Sequence, residues 1–166
     1  MRMIALMLVF VVAGCATPPK QTEFSKVYSA PGLPKAKIYD AAKIWIAENF
    51  RSAKRVIEYE NPKTATLIGN GGMPYPCSAV GCIARHDWNV TFTMRMDAKD
   101  ERFRLTFSNV GLFFPPTGGG FLRPYSAGYN GPVRSQEQMD SISPRLLAYG
   151  DELLATIVRE KRDKNW

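Results

Sequence analysis

The chain of 166 residues holds one histidine, His86, and three cysteines, and it contains no run of five like charges. So few nitrogen and sulfur ligands argue against a zinc site, and the sequence predicts neither a metal nor a cofactor. The lack of charge blocks argues against a charged interaction tail. Hydrophobic residues make up 45% and charged residues 22%, as is ordinary for a globular protein of one domain.

No apolar run is long enough to cross a bilayer as a helix of about 20 residues. Ile4–Val12 is a short apolar run that follows the positively charged start Met1-Arg2-Met3, as is typical of a secretion signal. Val12-Ala13-Gly14-Cys15 resembles the lipobox of bacterial lipoproteins, in which the cysteine thiol receives a diacylglycerol. The sequence therefore predicts a cleaved signal peptide over residues 1–14 and lipidation of Cys15, which anchors the protein to the bilayer.

Ala16 stands where an aspartate would resemble an inner-membrane retention signal, so we expect the outer membrane, with the domain facing the periplasm. Residues 15–22 form the lipidated cysteine and a proline-containing tether. At about 3.1 Å per residue, this tether holds the domain within roughly 20 Å of the lipid. The rest is predicted to form one domain over residues 23–162 and a polar tail over 163–166. Such a location favours an envelope protein or glycan as partner, and no nucleic acid.

Hydrophobic periodicity predicts a strand, a helix, two hairpins and a final helix. The segments are Glu23–Ala30, the helix Pro34–Phe50, the paired strands Val56–Glu60 and Thr64–Gly69, the paired strands Trp88–Met96 and Arg102–Ser108, and the helix Met139–Ile157. Pro144 is expected to kink or restart the last helix, with Ser143 as its cap. The order predicts an α+β fold in which the helices cover one face of the sheet and leave the other largely polar.

The stretch KIYDAAKIWIAENFRSAKRVIEYENPKTATLIGNG, from Lys37 to Gly71, resembles a family known only as a domain of unknown function with a TBP-like fold. The resemblance is carried by Ile38-Tyr39, Trp45, Phe50-Arg51-Ser52-Ala53-Lys54 and Leu67-Ile68-Gly69, and it runs from about Phe24 to Lys161. It implies a secreted or lipid-anchored bacterial protein with a curved antiparallel sheet and two main helices on one face. It implies no catalytic residues.

Two stretches depart from that family pattern, a cysteine-bearing insert after Gly72 and an aromatic loop after Val110. Cys77 and Cys82 would follow the signal into an oxidising compartment, which favours a disulfide over a metal site or a reactive thiol. A nucleophile formed by Cys77 with His86 and Asp87 is the alternative, and it would require the geometry of a catalytic triad.

The segment from Gly111 to Arg134 is predicted to be an irregular loop, because it contains three consecutive glycines and four prolines. Gly118-Gly119-Gly120 lacks the spacing and the lysine of a phosphate-binding loop. The aromatic residues of the loop are Phe113, Phe114, Phe121, Tyr125 and Tyr129. Their rings either cover a groove and dock a partner or pack on the core of the domain itself.

The polar side of the two paired strands carries three arginines, Arg95, Arg102 and Arg104. This side is either a binding face or a plain solvated face. The net charge of +7 likewise fits either attraction to anionic lipid and glycan phosphate or a soluble surface. We predict a membrane-anchored periplasmic lipoprotein that is not an enzyme and serves as a binding or envelope-assembly module. The alternative is a cell-envelope hydrolase or its accessory subunit, which would show a cleft with convergent ionisable groups.

Overall fold

The structure is a computed structural model that describes residues 23–50, 56–78, 80–119 and 125–163. The elements of the described residues are β1 (Phe24–Ser29), α1 (Lys35–Asn49), β2 (Ile57–Asn61), β3 (Thr66–Pro74), α2 (Val80–Arg85), β4 (Asn89–Lys99), β5 (Arg102–Phe114), β6 (Tyr129–Pro132) and α3 (Gln136–Asp163). The predicted signal peptide, Cys15 and the tether lie outside the described residues. None of the described helices is long and apolar enough to span a bilayer.

The strands form one six-stranded antiparallel sheet in the order β1-β5-β4-β3-β2, with β6 also paired to β5. The two predicted hairpins are confirmed as the pairs β2–β3 and β4–β5. The outer edge of β5 is shared, because β1 pairs with Arg102–Phe107 and β6 pairs with Gly111–Phe114. With helices on one side of this sheet, the predicted α+β class is confirmed.

The prediction of one irregular loop from Gly111 to Arg134 is wrong at both of its ends. The strand β5 continues through Phe114, and Tyr129–Pro132 returns as β6 along the same edge. Asn, Gly and Pro are poor strand formers, so β6 carries almost no signal in its sequence, and its pairing with β5 outweighs that local preference. The turn after β4 is also shorter than predicted, because β4 extends beyond Met96 to Lys99, whereas β5 begins at Arg102 as predicted.

A bulge in β5 changes which residues face the core. Asn109 has a φ of 51°, and the register between β4 and β5 shifts between Thr91 and Thr93. Before the bulge the odd-numbered residues of β5 are buried, whereas after it Val110 and Leu112 are buried. The extra residue thereby keeps an apolar strand on the core over its whole length.

The helices α1 and α3 pack on one face of the sheet and on each other. The largest fully buried side chains come from both helices and from three strands; they are Trp45, Phe103, Phe107, Ile38, Ile46, Leu67, Met96, Leu105, Leu112, Ile142, Leu146 and Leu153. Arg159 of α3 donates two hydrogen bonds, 2.9 and 2.8 Å long, to the Glu48 carboxylate of α1. Burial of this apolar surface supplies most of the stabilising free energy, at about 25 cal/mol for each Å².

The predicted restart of the last helix at Pro144 is wrong, because α3 runs without interruption from Gln136 to Asp163. Its cap is Ser135, whose Oγ accepts a hydrogen bond from the Gln138 amide over 3.3 Å. Gln138 Oε1 accepts the Ser135 amide over 3.2 Å, which completes a capping box. Ile142 and Leu146, on either side of Pro144, are fully buried, and this packing stabilises the helix despite the hydrogen bond that proline cannot make.

Candidate binding face

The face of the sheet opposite the helices, called the open face here, carries the polar residues of β4 and β5. On both strands buried side chains alternate with exposed or half-exposed ones. Arg95 lies on this face in β4, and Arg102 and Arg104 lie on it in β5. The structure thus brings the three arginines together on one surface, as strand alternation predicts.

Asp97 joins two of these arginines through its carboxylate. Arg95 donates from Nε to Oδ2 and from Nη2 to Oδ1, both over 2.9 Å, and Arg104 donates from Nη2 to Oδ2 over 3.3 Å. The Thr66 hydroxyl also donates to Oδ1, over 3.1 Å. The side chain of Asp97 is 19% exposed, whereas those of Arg95 and Arg104 remain 51% and 53% exposed. The carboxylate therefore fixes two guanidinium groups that still face solvent.

The same donors lower the pKa of the Asp97 carboxyl. Hydrogen bonds from Arg95 are the largest cause, partial burial opposes them, and hydrogen bonds from Arg104 and Thr66 add to the lowering. The pKa of the Arg95 guanidinium is raised in return, chiefly by its hydrogen bond to Asp97. Asp97 therefore stays ionised and serves as a fixed acceptor on the open face.

A second polar row crosses the open face further along the strands. Thr93 Oγ1 donates to Asn70 Oδ1 over 2.8 Å and accepts from Asn109 Nδ2 over 3.3 Å. Asn70 Nδ2 in turn donates to the Glu58 carboxylate of β2 over 2.5 Å. This row links the uncharged side chains of β3, β4 and β5 to the Glu58 carboxylate of β2, beside the arginines.

A hollow of about 560 Å³ lies at the end of the open face, beside the turns β2–β3 and β4–β5. We call it the cationic hollow. Its charged lining consists of Lys35, Lys99, Arg102, Arg104 and Asp97. The remaining lining is two threonines and an apolar part, which comprises Val27, Ala98 and Phe103. Basic side chains thus dominate this end of the sheet.

A larger hollow of about 860 Å³ lies along β3 and β4 and differs in its chemistry. None of the described residues that line it is ionisable, and its polar side chains are Asn49, Asn70, Asn89, Thr91, Thr93 and Asn109. It is therefore suited to uncharged polar groups, whereas the cationic hollow attracts anions.

Two of the predicted loop aromatics pack on the domain itself. The Phe114 ring stacks on Trp88 with the centroids 4.5 Å apart, and it lies 5.7 Å from the Tyr129 ring. The guanidinium of Arg134 lies over the Tyr129 ring, 3.6 Å from its centroid. These contacts match the alternative in which the rings of the loop pack on the domain.

The other predicted aromatics have different surroundings. Phe113 is 41% exposed and projects on the open face, opposite Asn130 of β6. Tyr125 is 74% exposed in the connection between β5 and β6, and Phe121 lies outside the described residues. Phe113 is therefore the one described aromatic of the predicted set that lies on the same face as the arginines.

The cysteine insert contains the predicted disulfide, with Cys77 joined to Cys82 and their Cα atoms 5.2 Å apart. A sulfur in this bond is not a thiol, which removes the nucleophile of the alternative reading. His86 Nδ1 lies 3.3 Å from the carbonyl oxygen of Ile83 and 4.0 Å from Asp87 Oδ1, so the imidazole is engaged locally. Among the described residues, no group of three His, Cys, Asp or Glu side chains is placed to hold a metal ion.

Sequence reasoning did not include Asp97, Lys99 or Lys35 in the site. Asp97 and Lys99 continue the alternation of β4, so extending that strand by three residues would have found them. Lys35 belongs to the first turn of α1, and nothing local in the sequence indicates that it reaches the end of the sheet. Its Nζ donates to the Lys63 carbonyl over 3.2 Å, which places it beside the β2–β3 turn.

The comparisons with known proteins agree with this architecture. Residues 24–112 match the family described as "Domain of unknown function (DUF4468) with TBP-like fold". The match covers more than half of the chain, and the chain belongs to this family. No curated protein matches the chain.

Two solved structures are similar to the chain. A TBP-like protein from Parabacteroides distasonis ATCC 8503 has a TM-score of 0.57 at 10% identity, with 81% of this chain and 91% of that chain covered. A DUF4468 family protein from Bacteroides ovatus ATCC 8483 has a TM-score of 0.49 at 17% identity, with 86% of this chain and 83% of that chain covered. The first likeness shows the TBP-like fold, in agreement with the predicted fold class. At such identity it carries no function.

Proposed function

We propose that this protein is a membrane-tethered binding module of the periplasm, and that it holds a polar partner of the cell envelope on the open face of its sheet. The observation that carries the proposal is the set of arginines Arg95, Arg102 and Arg104 on a sheet face that the described helices leave uncovered. A guanidinium offers forked donors that match carboxylates and phosphates. An envelope protein or a glycan with such groups fits this face.

The order of the arginines supports binding over mere solvation. Asp97 holds Arg95 and Arg104 in defined positions, so a partner meets guanidinium groups that have already lost part of their rotamer freedom. Ordering of a long side chain otherwise costs about 0.5–1.5 kcal/mol on binding. A face whose only task is solubility needs no such arrangement.

The chemistry of the face also supports a role without catalysis. Asp97 has a lowered pKa and accepts four hydrogen bonds, so it is unsuited to act as a general acid. His86 and the two disulfide-bonded cysteines lie in the insert, away from the arginines in the chain, and are occupied by local bonds. A hydrolase would require a convergent nucleophile and base at one site.

The proposed anchor is the lipid on Cys15, and the proposed location is the periplasmic side of the outer membrane. The signal sequence and the lipobox-like Val12-Ala13-Gly14-Cys15 support this part of the proposal. A tether of eight residues or fewer keeps the open face close to the membrane, where envelope proteins and glycans are concentrated.

The test is chemical crosslinking in intact cells followed by mass spectrometry. Arg95, Arg102 and Arg104 are replaced by alanine together with Asp97→Asn, so that no carboxylate is left without its partners. The control, Lys37→Ala with Lys161→Ala, removes the same net charge from the helical side. We expect the open-face variant to fold and to lose crosslinks that the control retains. An unchanged crosslinking profile in a folded open-face variant contradicts the proposal.

A further inference from the structure

The residues that line the cationic hollow carry more positive than negative charge. Lys35, Lys99, Arg102 and Arg104 line it, against the single carboxylate of Asp97. These cations come from three parts of the chain: the first turn of α1, the end of β4 and the start of β5. The fold therefore assembles the cluster, and no charge run in the sequence produces it.

Two of the cations oppose each other directly. Lys99 pairs with Arg102 across the β4–β5 hairpin, and like charges in that position destabilise a sheet. Their Cβ atoms are about 4.5–5.5 Å apart in such a pair. Among the described residues, neither side chain forms a hydrogen bond or an ion pair. The repulsion between them is relieved when an anion lies between the two side chains.

The acidic groups nearest to this pair are already engaged. Asp97 accepts hydrogen bonds from Arg95, Arg104 and Thr66, so its oxygens have little capacity left. In the turn, Asp100 accepts the Lys35 amide over 2.8 Å, and Glu101 accepts the Gly32 amide over 2.9 Å. Neither turn carboxylate lines the hollow. The lining therefore has four cations against one carboxylate, and the two turn carboxylates, which keep their charge, stand outside it.

From this placement we infer that the cationic hollow binds a phosphoryl group. A phosphate monoester carries a charge of about −1.5 to −2 near pH 7, which an excess of several cations suits better than the single charge of a carboxylate. Arg102 offers the forked donors that bind phosphate oxygens in pairs, and the lysines add point charges. The inference rests on the proposed function, because it gives the partner of the open face a chemical class.

The size of the hollow indicates that the phosphoryl group belongs to a larger ligand. Its volume of about 560 Å³ exceeds what an inorganic phosphate fills. Of the apolar lining, Val27 can contact a non-polar portion of the same ligand, whereas Ala98 and Phe103 are buried in the core. Val27 is 60% exposed on β1, beside Arg104, and is available for such a contact.

The inference is tested by isothermal titration calorimetry on the full-length protein in detergent micelles, with inorganic phosphate, pyrophosphate and acetate as probes at equal ionic strength. The variant is Lys99→Gln with Arg102→Gln. The charge-matched control is Lys37→Gln with Lys161→Gln, two exposed lysines of the helices. We expect saturable binding of phosphate or pyrophosphate that weakens about tenfold or more in the hollow variant and stays unchanged in the control.

A second arm distinguishes a free phosphate from a lipid headgroup. The protein is reconstituted in vesicles of phosphatidylcholine, with or without phosphatidic acid, and pyrophosphate is titrated again. Displacement of pyrophosphate by phosphatidic acid identifies the lipid as a source, and retained binding identifies a free ligand; each result supports a phosphoryl site. The inference is overturned by an absence of saturable binding, by acetate binding equally well, or by equal losses in the hollow and control variants.

The outcomes also separate this inference from the proposed function. If the open-face variant loses crosslinks but the protein binds no phosphate, the proposed function stands and the partner is not phosphorylated. If the hollow binds phosphate but the crosslinking profile is unchanged, the phosphate site is supported and the proposed envelope partner is contradicted.

Discussion

Asp97 is the residue on which the order of the open face depends, and its ionisation gives a prediction about pH. Because native contacts hold the pKa of its carboxyl below the ordinary value, its contribution to the free energy of unfolding is present above about pH 4. That contribution is lost as the pH falls through the lowered folded-state pKa. We expect Asp97→Asn to unfold with a weaker dependence on pH between about 5 and 2 than the wild type.

Urea unfolding at a series of pH values measures this difference. The control is Asp40→Asn, which changes an exposed aspartate of α1 that lacks the arginine contacts. The difference from the wild type should be larger for Asp97→Asn than for this control. Equal pH dependence in Asp97→Asn and the wild type would show that the contacts to Arg95 and Arg104 do not stabilise the carboxylate.

The glycine within α3 gives the clearest prediction about a single element. A Cβ at Gly150 would collide with the Tyr28 ring of β1, whose hydroxyl donates to the Leu147 carbonyl over 2.7 Å. Helix propensity alone would favour alanine by about 1 kcal/mol. Because the added methyl group would overpack this contact, we expect Gly150→Ala to destabilise the protein by about 1 to 3 kcal/mol. Denaturant unfolding measures whether the free energy of unfolding falls, as the collision predicts, or rises, as helix propensity alone predicts.

The matched control for this prediction is Ala155→Gly at an exposed position of the same helix. There no ring approaches, so the propensity rule alone should apply and the variant should lose about 1 kcal/mol. Stabilisation by Gly150→Ala would mean that Gly150 of α3 and the Tyr28 ring of β1 are not in close contact.

The disulfide of the insert predicts a modest effect on stability. Closing so short a loop contributes about 2 kcal/mol in the chain-entropy model, so Cys77→Ser with Cys82→Ser should fold with about that loss. Protein alkylated at once on cell lysis should show no free thiol at these positions, and its mass should be lower by two hydrogens than the reduced form. Two alkylated cysteines in that sample contradict the bond.

Strand alternation predicts the central elements well, because one buried face imposes a period of two on β4 and β5. It fails where the backbone departs from that period. Asn109 adopts the left-handed conformation, which alternation alone does not reveal, and three of the four residues of Tyr129–Pro132 are of types that rarely form strands. The cap of α3 was readable, since Ser135 and Gln138 have the spacing of a capping box.

Part of the candidate site could be predicted from strand alternation, and part could not. The arginines follow from alternation alone, because their phase on paired strands fixes their face. The cationic hollow does not, because Lys35 reaches it from a helix far away in the chain, and only the assembled sheet brings that helix to the β4–β5 turn. Local sequence carries no information about such a long-range contact.

The proposed membrane anchor of the whole protein depends on one atom, the sulfur of Cys15. Cys15→Ser offers no thiol for acylation, so we expect the variant to remain unlipidated. Metabolic labelling with an alkyne fatty acid measures this directly, and the variant should carry no label. Labelling equal to that of the wild type excludes Cys15 as the acceptor.

The central claim is that the tethered domain meets its partner through the open face, and site-specific photo-crosslinking in living cells tests it most directly. A photoreactive residue replaces Thr106, which lies opposite Arg95 on the open face, and in a second variant it replaces Val158, which is 47% exposed on α3. We predict a discrete crosslinked species from position 106 that disappears when the three arginines are removed, and none from position 158. Equal crosslinking from both positions, or crosslinking from position 158 alone, contradicts the account.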